Sequence, residues 1–167
     1  MARLHQRDLF PGLFVRSKLD DIDLRILREL QADGRMTNVE LASRVGISPP
    51  PCLRRVRALE EAGLIRGYRA QLDERKLGIE LVCFAFVHLA SQAESDLALF
   101  QKRIREWSAV RECWTLSGDI DFILKCVAPD LKAFQDFVAE LTSLPNVRNV
   151  RTALALERVK DEPIVPF

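Results

Sequence analysis

Residues 37–62, with the sequence TNVELASRVGISPPPCLRRVRALEEA, decide the fold of the first half of the chain. Thr37 is followed three residues later by Glu40, the spacing of a capping box, which predicts the start of a short helix. Gly46 interrupts this helix, and Ser48 begins another one. A short capped helix, a turn of a few residues and a second helix are the spacing of a helix-turn-helix unit.

The neighbouring residues extend this unit to a three-helix domain. An earlier helix starts at Asp20 as its N-cap and ends at Asp33-Gly34, and Gly63 closes the last helix as a left-handed cap. Residues 64–72 look extended and predict a terminal hairpin, a candidate wing. The apolar residues of the three helices are Ile22, Ile26, Leu27 and Leu30, then Val39, Leu41, Ala42 and Val45, then a core stripe of Leu53, Val56 and Leu59.

Three arginines lie in the first half of the helix that begins at Ser48, whereas its acidic residues stand only at the far end. In a helix-turn-helix protein the second helix of the unit lies in the major groove, and its N-terminal residues contact base edges. We therefore expect Arg54 and Arg55 to contact bases or the groove, with Arg57 and Ser48 nearer to phosphate. The alternative is the solvated charged face of an ordinary helical bundle, which the three-helix spacing disfavours.

Pro49, Pro50 and Pro51 form the start of the same helix. Proline is tolerated there because the first N–H groups of a helix have no acceptor within it. The run also removes N–H groups that Ser48 would normally cap, so we expect a rigid entry to the helix and a Ser48 hydroxyl that is free for DNA. Pro50 and Pro51 are placed with Ser48 at the DNA-facing end. A stiff turn without DNA contact is the alternative, and the sequence does not decide between them.

The apolar pattern changes after Glu80. Residues 81–89, LVCFAFVHL, are apolar at nearly every position, which predicts a strand covered on both faces. The remaining elements are predicted as helices at about 94–107 and 131–144 and strands at about 110–116, 120–127 and 147–156. The order βαββαβ is that of ferredoxin-like folds, whose two helices cover one face of the sheet. A second copy of the chain is the simplest cover for the other face.

Charge is distributed unevenly around a net value of +1. Residues 1–78 hold 15 Lys and Arg against 11 Asp and Glu, whereas residues 79–167 hold 10 against 13. The positive potential therefore lies in the half with the arginine-bearing helix. No apolar run approaches the roughly 20 residues that span a bilayer, and residues 1–17 lack the features of an export signal. We expect a cytoplasmic protein without a membrane partner.

Neither a metal site nor a catalytic constellation is predicted. The four cysteines, at positions 52, 83, 113 and 126, form no CxxC pair, and the chain has two histidines, His5 and His88. Such scattered cysteines are expected to be reduced thiols. Without a nucleophile with its base, an acid–base pair or a metal cluster, the sequence does not favour an enzyme or a cofactor.

Two longer motifs resemble those of a known family. Ser48-Pro-x-Pro-Cys-Leu-Arg-Arg-Val-Arg-x-Leu-Glu-x-x-Gly-x-Ile-x-Gly-Tyr68 resembles the signature of the Lrp/AsnC (leucine-responsive regulatory protein) family. Glu112-Cys-x-x-x-Ser-Gly-Asp-x-Asp121-Phe is similar to the motif of its effector domain. The resemblance runs from about Lys18 to Lys160. It implies an α+β protein in which a winged helix-turn-helix domain precedes a ferredoxin-like βαββαβ (RAM) domain.

This resemblance implies a sequence-specific DNA-binding transcriptional regulator that responds to a small effector. Family members dimerise through their sheets and often form octamers, and their usual effectors are amino acids bound between dimers. By resemblance the effector turn holds Gly118, Asp119 and Asp121. Positions that line the pocket or its coupling surface are Thr115, Leu131, Ala153 and Leu154. Without the resemblance, Asp119 would be interpreted as an ordinary turn residue.

The residue patterns and the family resemblance together predict five segments of the chain. They are an N-terminal extension (1–17), a helix-turn-helix domain (18–66), an extended linker (67–79), a RAM domain (80–160) and a C-terminal tail (161–167). Two alternatives remain at this point. Sirohaem decarboxylases resemble this architecture and would use a histidine such as His88, although the intact arginine-bearing helix argues against them. An architectural DNA-compacting protein without a ligand response is the other.

Overall fold

The computed structural model describes residues 19–167, so the N-terminal extension predicted at 1–17 lies outside the described residues. The described chain forms two compact units. One contains the residues up to Ala70 together with Glu162–Phe167, and the other contains Gln71–Asp161. The segment predicted as a linker, 67–79, contains the boundary between them. None of the helices in the described range has the length and apolar composition needed to cross a membrane.

The first unit contains three helices, α1 (Asp21–Ala32), α2 (Asn38–Val45) and α3 (Pro49–Glu61). The predicted N-caps are present: the Asp20 carboxylate accepts hydrogen bonds from the Ile22 and Asp23 N–H groups, and the Thr37 hydroxyl accepts one from the Glu40 N–H. The capping box predicted at Thr37 is only half formed, because the Glu40 carboxylate pairs with Arg44. Each cap pairs an N–H group that has no acceptor within the helix. Gly46 ends α2 in the left-handed conformation, with φ 78°.

The core of this unit differs from the prediction at two positions. Cys52 is fully buried, whereas Leu53 is 40% exposed and Val39 is 66% exposed. Because successive helical residues are rotated by about 100°, Cys52 shares a face with Val56 and Leu59, and Leu53 turns away from it. The buried cluster consists of Ile26, Leu41, Ala42, Val45, Cys52 and Leu59.

The hairpin predicted at 64–72 is not formed. Residues 62–80 contain bends and turns but no strand. The chain is held instead by Tyr68, whose hydroxyl donates to the Glu60 carboxylate at 3.1 Å. Its ring also lies against Gly34, where a Cβ atom would come within 3.0 Å of the ring. The segment after α3 is therefore attached by Tyr68 and by Ile65, which packs against the core, rather than by strand pairing.

The second unit is the predicted βαββαβ fold. Its elements are β1 (Leu81–Leu89), α4 (Glu94–Glu106), β2 (Val110–Thr115), β3 (Phe122–Ala128), α5 (Leu131–Ser143) and β4 (Val147–Leu154). The four strands form one antiparallel sheet in the order β2-β3-β1-β4. Strands β2 and β4 are therefore the edges, and the ferredoxin-like prediction is confirmed.

Burial alternates along β1 instead of covering both faces. Cys83, Ala85, Val87 and Leu89 point into the core with Phe100 and Ile104 of α4. Leu131, expected on the apolar side of its helix, is 55% exposed at the first position of α5. On the opposite face of the sheet, Phe84 and Phe86 of β1 are half-buried in the single chain, and Trp114 of the edge strand β2 is exposed. The expected cover for this face must come from outside the chain.

Candidate DNA-binding helix and effector cavities

The N-terminus of α3 is partly exposed, and three prolines restrict its backbone. Ser48 is its N-cap in extended conformation and makes no side-chain cap hydrogen bond, as the proline run leads one to expect. Ser48 and Pro50 are exposed, and Pro51 is half-buried. The first backbone bond of the helix runs from the Cys52 N–H to the Ser48 carbonyl at 3.2 Å. The Ser48 hydroxyl is therefore free at the start of the helix, next to a backbone segment whose conformation the prolines restrict.

Asn38, at the start of α2, fixes the turn between α2 and α3. Its side-chain amide donates to the Pro49 carbonyl at 2.8 Å. Its Oδ1 atom is buried and has no partner in residues 19–167. This bond joins the first turns of the two helices. Asn38 was not singled out from the sequence, because its only signal there is its place next to the Thr37 cap.

Arg54 and Arg57 are exposed on α3, and neither has an ion-pair partner among the described residues. Arg44 on α2 differs, because its guanidinium pairs with Glu29 at 3.1 Å and Glu40 at 2.7 Å. Uncompensated cations on one helix produce a local positive potential that attracts phosphate. Arg54 and Arg57 therefore have the accessibility that the predicted DNA contacts require.

Arg55, which we predict to contact bases or the groove, forms ion pairs within the first unit. Its Nη1 atom lies 2.8 Å from the Asp20 carboxylate and 2.7 Å from that of Asp23. The hydrogen bonds that the guanidinium donates to Asp23 and, second in effect, to Asp20 raise the pKa of Arg55. The pKa of Asp20 is lowered, chiefly by the Asp23 N–H and also by Arg55. Arg55 thus joins α3 to the capping box of α1 instead of pointing free into solvent.

The turn between β2 and β3 borders a cavity of about 400 Å³ in the second unit. We call this the turn cavity, and it is lined by His88, Leu89, Gln92, Asp119, Asp121, Arg148 and Asn149. Gly118 has φ 123°, and a Cβ atom at this position would have no neighbour within 4 Å, so backbone conformation rather than crowding favours glycine there. Asp119 is exposed, and Arg148 has no ion-pair partner within the described chain. The cavity therefore presents one free anion and one free cation.

Asp121 is 7% exposed, and both of its carboxylate oxygens are engaged. Oδ2 accepts from the Leu89 N–H at 2.7 Å, and Oδ1 accepts from the Gln92 amide at 2.7 Å. A buried carboxylate is tolerated when such bonds replace its hydration. This geometry favours a role for Asp121 in orienting the turn over direct contact with a ligand.

Asn146 supports the same site from the loop before β4. It has φ 69°, a left-handed conformation that asparagine tolerates better than most residues. Its side chain makes two bonds with the Ser91 backbone, accepting from the N–H at 2.8 Å and donating to the carbonyl at 2.9 Å. Ser91 precedes Gln92, so Asn146 helps to hold the amide that binds Asp121. Neither Gln92 nor Asn146 was predicted from the sequence, because their partners are distant in the chain.

Of the other predicted effector positions, Thr115 lies at the base of the turn, where it pairs with Phe122, whereas Leu131, Ala153 and Leu154 do not lie near the turn. Thr115 lines a different cavity, beside α4. Leu154 pairs with Cys83, whereas Asp121 bonds to Leu89 at the other end of β1. At about 3.3 Å per residue these two ends lie about 20 Å apart. Leu131, which follows β3, and Ala153 also lie towards the Leu154 end of the sheet.

His88 and the cysteines form no metal centre in the described part of the chain. His88 pairs with Asn149 of β4 and lines the turn cavity. Residues 19–167 contain no group of three or more His, Cys, Asp or Glu side chains that could hold a metal ion. All four cysteines are free thiols, and Cys113 is the exposed one. Burial raises the pKa of the Cys52 thiol.

Comparisons with known proteins match both units. Residues 19–66 match a family model described as winged helix-turn-helix DNA-binding, and residues 82–165 match the Lrp/AsnC ligand binding domain. The leucine-responsive regulatory protein of Rhizobium meliloti (strain 1021) is 59% identical over 150 residues, which cover 89% of this chain and 96% of that protein. The protein of the same name from Escherichia coli (strain K12) is 43% identical over 143 residues, covering 85% and 87%.

Solved structures agree with these matches. A transcriptional regulator from Neisseria meningitidis in complex with L-Met superposes with a TM-score of 0.85 at 37% identity, covering 89% of this chain and 97% of that one. An AsnC family regulator from Agrobacterium tumefaciens gives a TM-score of 0.83 at 34% identity, with the same coverage. The predictions of fold and of a regulator rather than an enzyme are confirmed. This chain belongs to the Lrp/AsnC family: it is a DNA-binding transcriptional regulator with a ligand-binding domain.

Proposed function

We propose that this regulator reads its operator with the N-terminal half of α3. The observation that carries the proposal is the pair of exposed, unpaired arginines, Arg54 and Arg57, beside the free hydroxyl of Ser48. Arg54 is assigned to base edges, and Arg57 and Ser48 to phosphates. Pro50 and Pro51 shape the entry of the helix at this surface. A DNA-binding function also agrees with the cytoplasmic location that we predict from the sequence.

The effector we propose is an amino acid or a close relative, bound at the turn cavity. Asp119 supplies an acceptor for an ammonium group, and Arg148 supplies a cation for a carboxylate. Gly118 leaves the turn backbone accessible, and Asp121 holds the turn in place. The L-Met bound to the Neisseria meningitidis relative supports this class of ligand.

We place this effector between subunits. Leu154 lies about 20 Å from the turn within one chain, and Leu131 and Ala153 lie towards the same end of the sheet, so a site that uses both groups needs a second copy. The half-buried sheet face supports a dimer, and contacts at the turn between dimers would extend the assembly to an octamer. A ligand at such a contact favours one assembly over another by its differential affinity for them.

A gel-shift titration tests the DNA part of this proposal. Arg54→Ala should weaken binding to the protein's own promoter region by about tenfold or more, the scale of a lost arginine–guanine contact. Arg28→Ala is the matched control, since Arg28 is an exposed arginine of α1 whose removal changes the charge equally. Equal losses in the two variants would contradict a specific contact from α3. Folding of both variants is checked by thermal unfolding.

A thermal-shift screen with the twenty amino acids tests the effector part. At a ligand concentration about 100 times Kd, binding adds about 2.7 kcal/mol to the free energy of unfolding and raises Tm. If no amino acid changes Tm, assembly size or DNA affinity, the sensor proposal fails and the architectural alternative takes its place.

A further inference from the structure

A second cavity, of about 320 Å³, lies where α4 packs against the edge strand β2. We call it the edge cavity, and it is lined by Gln101, Ile104, Arg105, Cys113, Thr115 and Phe122. Cavities of this size accommodate small metabolites. It shares no lining residue with the turn cavity, and of its lining residues the family resemblance assigns only Thr115 to the effector pocket or its coupling surface.

The floor of the edge cavity is apolar and its walls carry hydrogen-bond donors. Ile104 is 3% exposed and Phe122 is fully buried. Gln101, Thr115 and the Arg105 guanidinium supply N–H and O–H groups, and no carboxylate lines the cavity. The floor therefore suits a hydrocarbon group, and the walls suit an anion.

Arg105 is available to bind that anion. No ion pair to it is formed within residues 19–167, whereas Arg103 on the same helix lies 3.5 Å from Glu140 and 3.6 Å from Glu106. The positive charge of Arg105 reaches the cavity wall, since it partly offsets the burial that raises the pKa of the Cys113 thiol. A guanidinium without a counter-ion is a favourable partner for a carboxylate.

We propose that the edge cavity is a second ligand site, which binds a small monocarboxylate with an apolar body and no ammonium group, such as a 2-oxo acid. Arg105 and Gln101 bind the carboxylate, Thr115 donates to the 2-oxo oxygen, and Ile104 and Phe122 contact the hydrocarbon. An amino acid is disfavoured because its ammonium group would lose water without gaining an acidic partner. The turn cavity differs because Asp119 can provide that partner. This site does not depend on ligand binding at the turn.

Cys113 offers a direct measure of occupancy, because it is the one exposed cysteine of the four. The rate of its alkylation by iodoacetamide is followed by mass spectrometry of the full-length protein, with and without 4-methyl-2-oxopentanoate. We expect a slowing of about tenfold when the ligand is at about ten times its Kd, because only the unoccupied protein reacts. L-Leucine, with the same carbon skeleton, should slow the reaction much less.

Two variants on α4 complete the test. Arg105→Gln should abolish the protection, whereas Lys102→Gln removes the same charge from an exposed position outside the cavity and should retain it. The comparison is the ratio of rates with and without ligand within each variant, so a change in intrinsic thiol reactivity cancels. Absence of protection by the 2-oxo acid at millimolar concentration, equal protection by leucine, or protection that survives Arg105→Gln would each overturn the proposal.

Discussion

Two aspartates three residues apart, Asp20 and Asp23, perform two tasks at the start of α1. They cap the helix, and together they hold the guanidinium of Arg55 from α3 at 2.8 and 2.7 Å. The position of α3 on α1 therefore depends partly on acidic residues, although α3 is the helix that we expect to approach phosphate. Arg55 therefore connects α3 to α1, whereas Arg54 and Arg57 are exposed and have no ion-pair partner among the described residues.

This arrangement predicts an unusual direction for the effect of Asp23→Asn on DNA affinity. Removing a negative charge near DNA should ordinarily strengthen binding, because the repulsion of phosphate falls. We expect Asp23→Asn to weaken binding instead, by about fivefold, the scale of one partly exposed ion pair. Asp21→Asn is the matched control, because Asp21 is exposed on the same turn and its carboxylate does not pair with Arg55.

Gel shifts on both variants, and on Arg55→Gln alone and combined with Asp23→Asn, measure this effect. The two substitutions should be less than additive, because each removes the same contact. Tighter binding by Asp23→Asn, as expected for Asp21→Asn, would show that Arg55 does not position α3 in this way.

Single residues were predictable where the cause is local in sequence. Asp20 and Thr37 could be identified as caps because their partners lie two or three residues away. The pairing of Arg55 with Asp23 joins residues 32 positions apart, and it depends on how α3 packs on α1. The pattern also named Leu53 instead of Cys52 as a core residue, because a cysteine gives a weaker apolar signal than the leucine beside it.

At the level of elements, the effector turn is held by the segments around it. Asp121 bonds to the end of β1 and to Gln92, and Asn146 fixes the loop that carries Gln92. Asp119 takes no part in these bonds, so the two aspartates of the turn have different roles. Asp121 belongs to the framework that holds the turn, and Asp119 faces the cavity.

The same substitution at the two positions should therefore give opposite results. Asp121→Asn should lower Tm, because an amide N–H₂ would then face either the Leu89 N–H or the Gln92 amide donor, and an unsatisfied buried group costs about 1–3 kcal/mol. Asp119→Asn should leave Tm of the unliganded protein unchanged and should remove the amino-acid response. Thermal unfolding with and without effector measures both quantities. A stable but unresponsive Asp121→Asn with a responsive Asp119→Asn would reverse the assignment.

The limits of the helices and strands were easier to predict from the sequence than the strands and side chains that contact them. The apolar run at 81–89 gave the limits of β1, and the predicted helices match α4 and α5 to within one residue at either end. Residues 64–72 have an extended composition but no strand to pair with, and periodicity alone does not reveal the absence of a partner. Tyr68, whose role is to hold this segment, could not be recognised without knowing that Glu60 and Gly34 lie nearby.

For the whole molecule, the sheet face opposite the helices is the main feature that one chain leaves incomplete. Phe84 and Phe86 alternate with the buried residues of β1, and Trp114 on β2 is 49% exposed. A Lys125–Glu112 ion pair at 2.9 Å lies on the same face. The sequence predicted that both faces of β1 would be covered. The structure shows which face of the sheet is uncovered. A second copy of the chain can cover this face only when the chains associate.

The last prediction is that association through this face sets DNA affinity. Light scattering at micromolar concentration should give at least a dimer for the wild type. Phe86→Lys should give a smaller species, because Phe86 lies opposite Ile123 and Arg151, where a lysine adds both a buried charge and like-charge repulsion. Leu99→Lys, at a 60% exposed position on α4, is the matched control and should assemble as the wild type does.

DNA binding connects this assembly to function. An operator with two half-sites is bound tightly only when two helix-turn-helix domains are linked, since the second contact is then made at a high effective concentration. Phe86→Lys should therefore lose affinity for such an operator and keep its weaker affinity for a single half-site. Circular dichroism confirms that the variant is folded before it is compared. A wild-type monomer at micromolar concentration, or a dissociated Phe86→Lys with unchanged affinity for both DNAs, would show that the sheet face does not join the DNA-binding domains.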